Sequence, residues 1–170
     1  MKMIPVTYIN RNTSALTVCF NKANKPLLTL LYAKLVIIEI GGWVEMSMDD
    51  LIERAGKKIK DPKNVKVLEQ DIRRNSGFQY DTNFRPLLIK VVGLVRVEQL
   101  EAKLDMVKHT KMKAALDMLK AARNSVAHTY VKNPSGGAVI AAPSVSITYF
   151  KDICDGLMNI ESEMKKLKII

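Results

Sequence analysis

Between Lys111 and Tyr130 the chain reads KMKAALDMLKAARNSVAHTY, and its end gathers a cation, an amide, an imidazole and a phenol: Arg123, Asn124, His128 and Tyr130. At about 100° per helical residue, Asn124 and His128 project within about 40° of each other. Arg123 lies about 140° from His128, a gap that its long stem can close. Tyr130 lies about 20° from Arg123 if the helix persists that far. Arg binds phosphate bidentately and stabilises charge growing on a phosphoryl oxygen. His suits general acid or base work near neutral pH, and Asn holds a phosphate or hydroxyl by hydrogen bonds. Together they form a minimal kit for metal-free transfer of a phosphodiester to its neighbouring 2′-hydroxyl, which is RNA cleavage. The plainer alternative is that Arg123 and His128 only complement the negative end of a helix dipole.

Arg123-Asn124-Ser125-Val126-Ala127-His128 resembles the R-[N/D/H]-x(3–5)-H signature of HEPN domains, in which RN-x-x-A-H ends the third or fourth helix of a small bundle. Residues 27–58, LLTLLYAKLVIIEIGGWVEMSMDDLIERAGKK, are similar to the long apolar first helix of the RiboL-PSP-type branch, with its internal acidic residue. The resemblance covers about residues 25 to 168, and its specific part is the six-residue core. It implies an all-α, up-and-down bundle of four or five helices and a ribonuclease acting as a homodimer. It assigns catalysis to Arg123, Asn124 and His128. Tyr130 completes R-x4-H-x-Y, the modified tyrosine of toxin members that have a nucleotidyltransferase partner. A toxin or defence role and an inhibitory antitoxin protein are further implications. Other HEPN proteins have lost activity and only bind nucleotide, RNA or protein. A structural bundle carrying a chance R-x4-H is the third alternative.

The elements that must position these residues follow from patterning. One hundred and seventy residues make one domain, 1–170, divided into an N-terminal extension over 1–24 and a helical bundle over 25–170. Val6 to Ile9 and Ala15 to Phe20 have β-like composition and predict two short extended segments. Pro26 opens the first helix. Leu28, Leu31, Leu35, Ile38 and Gly42 form one of its faces, and Leu30, Ile37, Val44, Met48 and Leu51 the other. A helix apolar on two sides is central. Lys34 and Glu39 interrupt the apolar run too soon for a membrane span. Glu39, if buried, needs a partner, and Arg123 or His128 is the natural one. The plainer alternative is that Glu39 faces solvent at a bundle seam; Glu39 and Tyr130 are the candidate accessory site residues.

Asp61-Pro62 stops the first helix within a basic connector, and Val65, Leu68 and Ile72 predict a short helix. Asn83 is read as the cap of another, with Pro86 in its first turn and Gly93 at its end. Val97, Leu100, Leu104 and Val107 form a stripe that fails at Lys108 to Lys111, where a kink is expected and where His109 should face solvent. Ala115, Ala122 and Ser125 form a narrow small-residue face, suited to close approach of a second copy or to packing within one chain. Val131 to Val145 is a loop rich in Pro, Gly, Ala and Ser. Ser146 or Thr148 caps a last helix whose stripe runs Phe150, Ile153, Leu157, Ile160, Met164 and Leu167.

The balance of 27 basic against 17 acidic residues, a formal charge of +10, favours a polyanion such as RNA. Lys120 and Lys132, on either side of the motif, are the nearest candidates for strand contacts. Aromatic residues at 6% are too few for a base-stacking platform. Cys19 and Cys154 stand alone, which suits a reducing cytosol. Two His residues and no Cys pairs argue against a zinc site, and no carboxylate cluster suits magnesium. No cofactor, no metal and no signal peptide are expected.

Overall fold

A computed structural model describes residues 4–127 and 140–170, all of them helix, turn or loop. Among the described residues there are seven α-helices: α1 (Thr7–Lys22), α2 (Pro26–Gly56), α3 (Pro62–Arg74), α4 (Arg85–Val92), α5 (Leu94–Glu101), α6 (Met106–Ala127) and α7 (Pro143–Lys166). A single π-helical turn, Tyr80–Phe84, leads into α4. The all-helical expectation holds.

α2 is the central element, flanked by α1, α6 and α7. Val36, Ile40, Val44, Leu51 and Ile52 are fully buried along it. α7 packs beside α2 on Phe150, Ile153, Leu157, Ile160 and Met164, the stripe legible in the sequence. α6 returns antiparallel to α7. Gly156 is the point of closest approach, since a Cβ there would collide with Met112. By length and composition Pro26–Gly56 also suffices to cross a membrane; in the fold its C-terminal half is enclosed by other helices.

Several expectations are corrected. The described part of the N-terminal extension, 4–24, is not β-like: Thr7–Lys22 is helix and packs along α2. Ile9, Thr13 and Leu16, at spacings of four and three, turn one side of α1 toward α2. Its threonines tolerate the helix because their hydroxyls donate back to carbonyls one turn earlier, Thr13 to Ile9 at 2.8 Å and Thr17 to Thr13 at 2.7 Å. Tertiary contact has overridden a strand propensity that was only local. The face of α2 formed by Leu28, Leu31, Leu35 and Ile38 is exposed, with Leu35 45% accessible. Asp61 does not simply end α2; its carboxylate accepts from the Lys63 N–H at 2.8 Å and starts α3. Asn83 lies inside the π-turn, where its side chain accepts from the Gln79 N–H and donates to Asn75. Neither Ser146 nor Thr148 caps α7, which opens on Pro143.

The chain turns at Ala102 to Asp105, earlier than the expected kink. Asp105 then caps α6 by accepting from the N–H groups of Val107 and Lys108 at 3.0 and 3.1 Å. Lys108 to Lys111 is therefore helical. His109 is not solvent-exposed: its ring stands edge-on to the buried Tyr80 with centroids 4.5 Å apart. Its Nε2 is buried without a hydrogen-bond partner among the described residues. Burial, and next the Lys113 ammonium, hold its pKa below the usual histidine value against the pull of Glu101 and Asp81.

Candidate functional site

Three of the sequence-derived site residues stand together on the last turns of α6. By helical geometry Lys120, Arg123 and Asn124 share an arc of about 100°. Asn124 is exposed, and Lys120 and Arg123 are half-buried. The helix reaches this point because Met112, Leu116 and Leu119 are fully buried beneath it and Val126 nearly so.

The stem of Arg123 lies against α2 at Gly41, where an added Cβ would sit 3.7 Å from the Arg123 Cγ and 3.7 Å from the Phe78 ring. Gly41 thus leaves the guanidinium stem a bed on the α2 backbone. The head reaches Glu45, one turn further along α2, with Nη2 3.6 Å from Oε1. The two side chains remain 40% and 34% accessible, so water screens the pair. Lys120 Nζ donates to Gln79 Oε1, and Gln79 Nε2 donates to Asp117 at 2.7 Å. The segment before the π-turn therefore fastens to the motif helix through Gln79.

Glu39 is not the partner of Arg123. It is exposed on the α1 side of α2 and accepts from Asn12 Nδ2 at 3.2 Å. The acidic residue that meets the motif is Glu45, missed in the sequence because four other carboxylates lie within fourteen residues of it on the same helix. Its spacing from Gly41, one turn, was the available signal. His128, Tyr130 and Lys132 lie outside the described residues, as does most of the loop expected over 131–145. Ala115, proposed for a small-residue dimer face, is buried in this chain's own core, and Ala122 packs against that core.

Elsewhere the strongest electrostatic feature is Glu161, on α7 and 1% exposed. It accepts from Arg54 at 2.8 Å, pairs with Lys165 at 2.8 Å and takes the Ile4 N–H at 3.2 Å. Burial alone would raise its pKa, but those hydrogen bonds outweigh burial and leave it below the ordinary carboxylate value. Glu101 is held low chiefly by its bond from Arg85, whose Nε and Nη2 reach its two oxygens at 2.7 and 3.1 Å. Asp49 moves the other way, pushed up to about 6 by burial and then by Glu53 and Glu45. Among the described residues no three His, Cys, Asp or Glu side chains are grouped to hold a metal ion.

No protein-family model matches the chain, and no curated protein or solved structure matches it significantly. The class it belongs to is the one its coordinates define, an all-α bundle built around one long helix.

Proposed function

We propose that this chain is a metal-independent endoribonuclease of the HEPN type, with Arg123, Asn124 and His128 as its catalytic residues. The observation that carries the reading is the placement of Arg123. It stands on the last turns of a helix whose inner face is buried, with its stem on Gly41 and its head in an accessible, screened ion pair that a phosphate can replace. Asn124 is exposed beside it and Lys120 lies on the same arc.

In the reaction, His128 takes the proton of a ribose 2′-hydroxyl as its oxygen attacks the adjacent phosphorus. The bond from phosphorus to the 5′-oxygen breaks, and that oxygen leaves with a proton. Arg123 balances the charge on the non-bridging oxygens. The products are a 2′,3′-cyclic phosphate and a 5′-hydroxyl. One site histidine per chain does not serve readily as both base and acid, so the partner's His128 supplies the leaving-group proton in a two-fold dimer. The exposed Leu28, Leu31, Leu35 and Ile38 give that dimer a surface. Their 3, 4, 3 spacing is a heptad seam, and Lys34 and Glu39 occupy its g and e positions, where opposite charges meet across two parallel helices.

The test is incubation of single-stranded RNA with the protein in excess chelator. Cleavage to 2′,3′-cyclic ends, with DNA left intact, is the expected result. Products bearing 5′-phosphates, or activity only with magnesium, overturn the mechanism. A protein sedimenting as a monomer at micromolar concentration removes the shared site. The second reading, an RNA-binding module without catalysis, is favoured by the Arg123–Glu45 pair itself, which occupies the guanidinium. Retention on RNA without cleavage identifies it.

A further inference from the structure

Beyond the C-terminal end of α2, a cavity of about 360 Å³ opens between the connector after α2, the α4–α5 segment and the end of α7. Its floor is apolar, with Ile59, Val92 and Ile169, and its rim carries Lys58, Arg96 and Lys168. Among the described residues no Asp or Glu side chain lines it. Several other cations are held by carboxylates: Arg54 by Asp50 and Glu161, Arg85 by Glu101, Lys90 by Asp71, Lys113 by Asp81. Lys58 and Arg96 are held differently. Lys58 Nζ donates to the Lys168 carbonyl at 2.5 Å, and Arg96 Nη1 donates to the Leu167 carbonyl at 3.5 Å. A neutral acceptor positions a cation without cancelling its charge, and both heads keep further N–H donors for an anion. Among the described residues no carboxylate pairs with any of the three.

Lys168 adds an independent observation. The Ile169 N–H bonds to the Met164 carbonyl and the Lys168 N–H to the Lys165 carbonyl, both at 2.9 Å, which closes α7 in a Schellman motif. The residue at the turn of that motif takes the left-handed conformation, and here it is Lys168, with φ 55°. Glycine is favoured there and a lysine is strained. Among the described residues no other non-glycine has positive φ. The strain sets a third cation on the rim of the cavity. Lys57 and Lys60 on the connector and Lys63 and Lys66 on α3 are exposed as well. A set of cations fits a chain of phosphates better than a single small anion.

We infer that this notch binds backbone phosphate of an RNA strand through Lys58, Arg96 and Lys168. It is a second contact point, about 20 Å along α2 from Arg123 at 1.5 Å per residue. The inference rests on the RNA reading above but not on cleavage.

The experiment titrates a fluorescent single-stranded RNA of mixed sequence with the full chain over a range of salt concentrations, with inorganic phosphate in a parallel titration. The Lys58→Gln/Arg96→Gln/Lys168→Gln variant should bind RNA at least about tenfold more weakly. Its slope of log K against log salt should be shallower by about 2, for three phosphate contacts at about 0.7 each. Lys168→Gly alone should weaken RNA binding while its Tm holds or rises, so that misfolding cannot account for the loss. Unchanged affinity and slope in the triple variant overturn the inference. So does loss of phosphate binding with RNA affinity intact, which reassigns the notch to a free anion. If Arg123→Ala and the wild type both fail to cut RNA while the triple variant loses binding, the ribonuclease reading falls and the notch stands.

Discussion

At its C-terminal end α2 is enclosed: Leu51 and Ile52 are fully buried, and Arg54 is tied to Glu161, which in turn holds Lys165 and the Ile4 N–H. Toward its N-terminus Leu27, Leu28, Leu31 and Leu35 meet solvent, and at the middle of the helix, beside Gly41, the end of α6 arrives with Arg123 in a screened pair with Glu45. The same helix is therefore architecture at one end and accessible surface at the other. The difference teaches where to look for function. Charge that is buried and multiply bonded holds the fold together, whereas charge that is accessible and singly paired is available to a ligand.

The sharpest way to break that contrast is to strip one charge from each end. Glu161→Ala leaves Arg54 and Lys165 without their common acceptor in a nearly dry site and should cost about 3 kcal/mol. That is the low end of the usual range, because Asp50 still pairs with Arg54 at 3.1 Å. Urea unfolding measures it, and a loss below about 1 kcal/mol would remove the Glu161 network from the architecture. Gly156→Ala follows. Its Cβ would collide with Met112 on the facing helix, close to the backbone, and the overpacking should cost about 1–3 kcal/mol despite alanine's better helix propensity. An alanine there that unfolds like the wild type would show that α6 and α7 yield at their crossing.

The pH dependence follows from the same contrast. Glu161 and Glu101 have folded pKa values below their ordinary value of 4.5, so their contribution is present above about 4.5 and is lost as pH falls through the folded values. Asp49, raised to about 6, runs in the opposite sense: its protonation in the folded state adds stability as pH falls from about 6 toward its unfolded value. Stability should hold or rise slightly from pH 6 to about 4.5 and then drop. Glu161→Gln should flatten the acid limb, and an unaltered limb would mean that other carboxylates control it.

The amphipathic helices were legible because their apolar spacing is long and regular, as in Phe150 through Met164. What misled was local. Val6 to Phe20 is rich in β-branched residues, yet contact with α2 and the back-bonding hydroxyls of Thr13 and Thr17 make it helix. Leu28, Leu31, Leu35 and Ile38 have core-like spacing but no partner within the described chain to cover them. Spacing reveals a face and not what covers it. Arg123 and Asn124 were legible as neighbours on a helix end. Glu45 was hidden, because which of α2's carboxylates meets α6 depends on how the two helices cross. Lys58, Arg96 and Lys168 come from three distant segments, and no sequence pattern joins them.

Smaller effects sharpen the accessible end. Glu45→Gln frees the Arg123 head and should change stability by less than about 1 kcal/mol, as for an exposed pair. RNA affinity should rise by up to about fivefold, the same energy expressed as a binding constant. A fall in affinity would show that Glu45 positions Arg123 instead of competing for it.

The most direct measurement combines thermal unfolding with RNA cleavage in chelator for Arg123→Ala and His128→Ala. Arg123→Ala should lose cleavage while its Tm stays within about 4 °C of the wild type, the shift expected for no more than about 1 kcal/mol in a chain of this size. His128→Ala should lose cleavage in the same way. Arg123→Lys should not restore activity, because an ammonium lacks the planar fork. Large destabilisation with cleavage or RNA binding intact would contradict the separation of the two ends and make the motif part of the architecture.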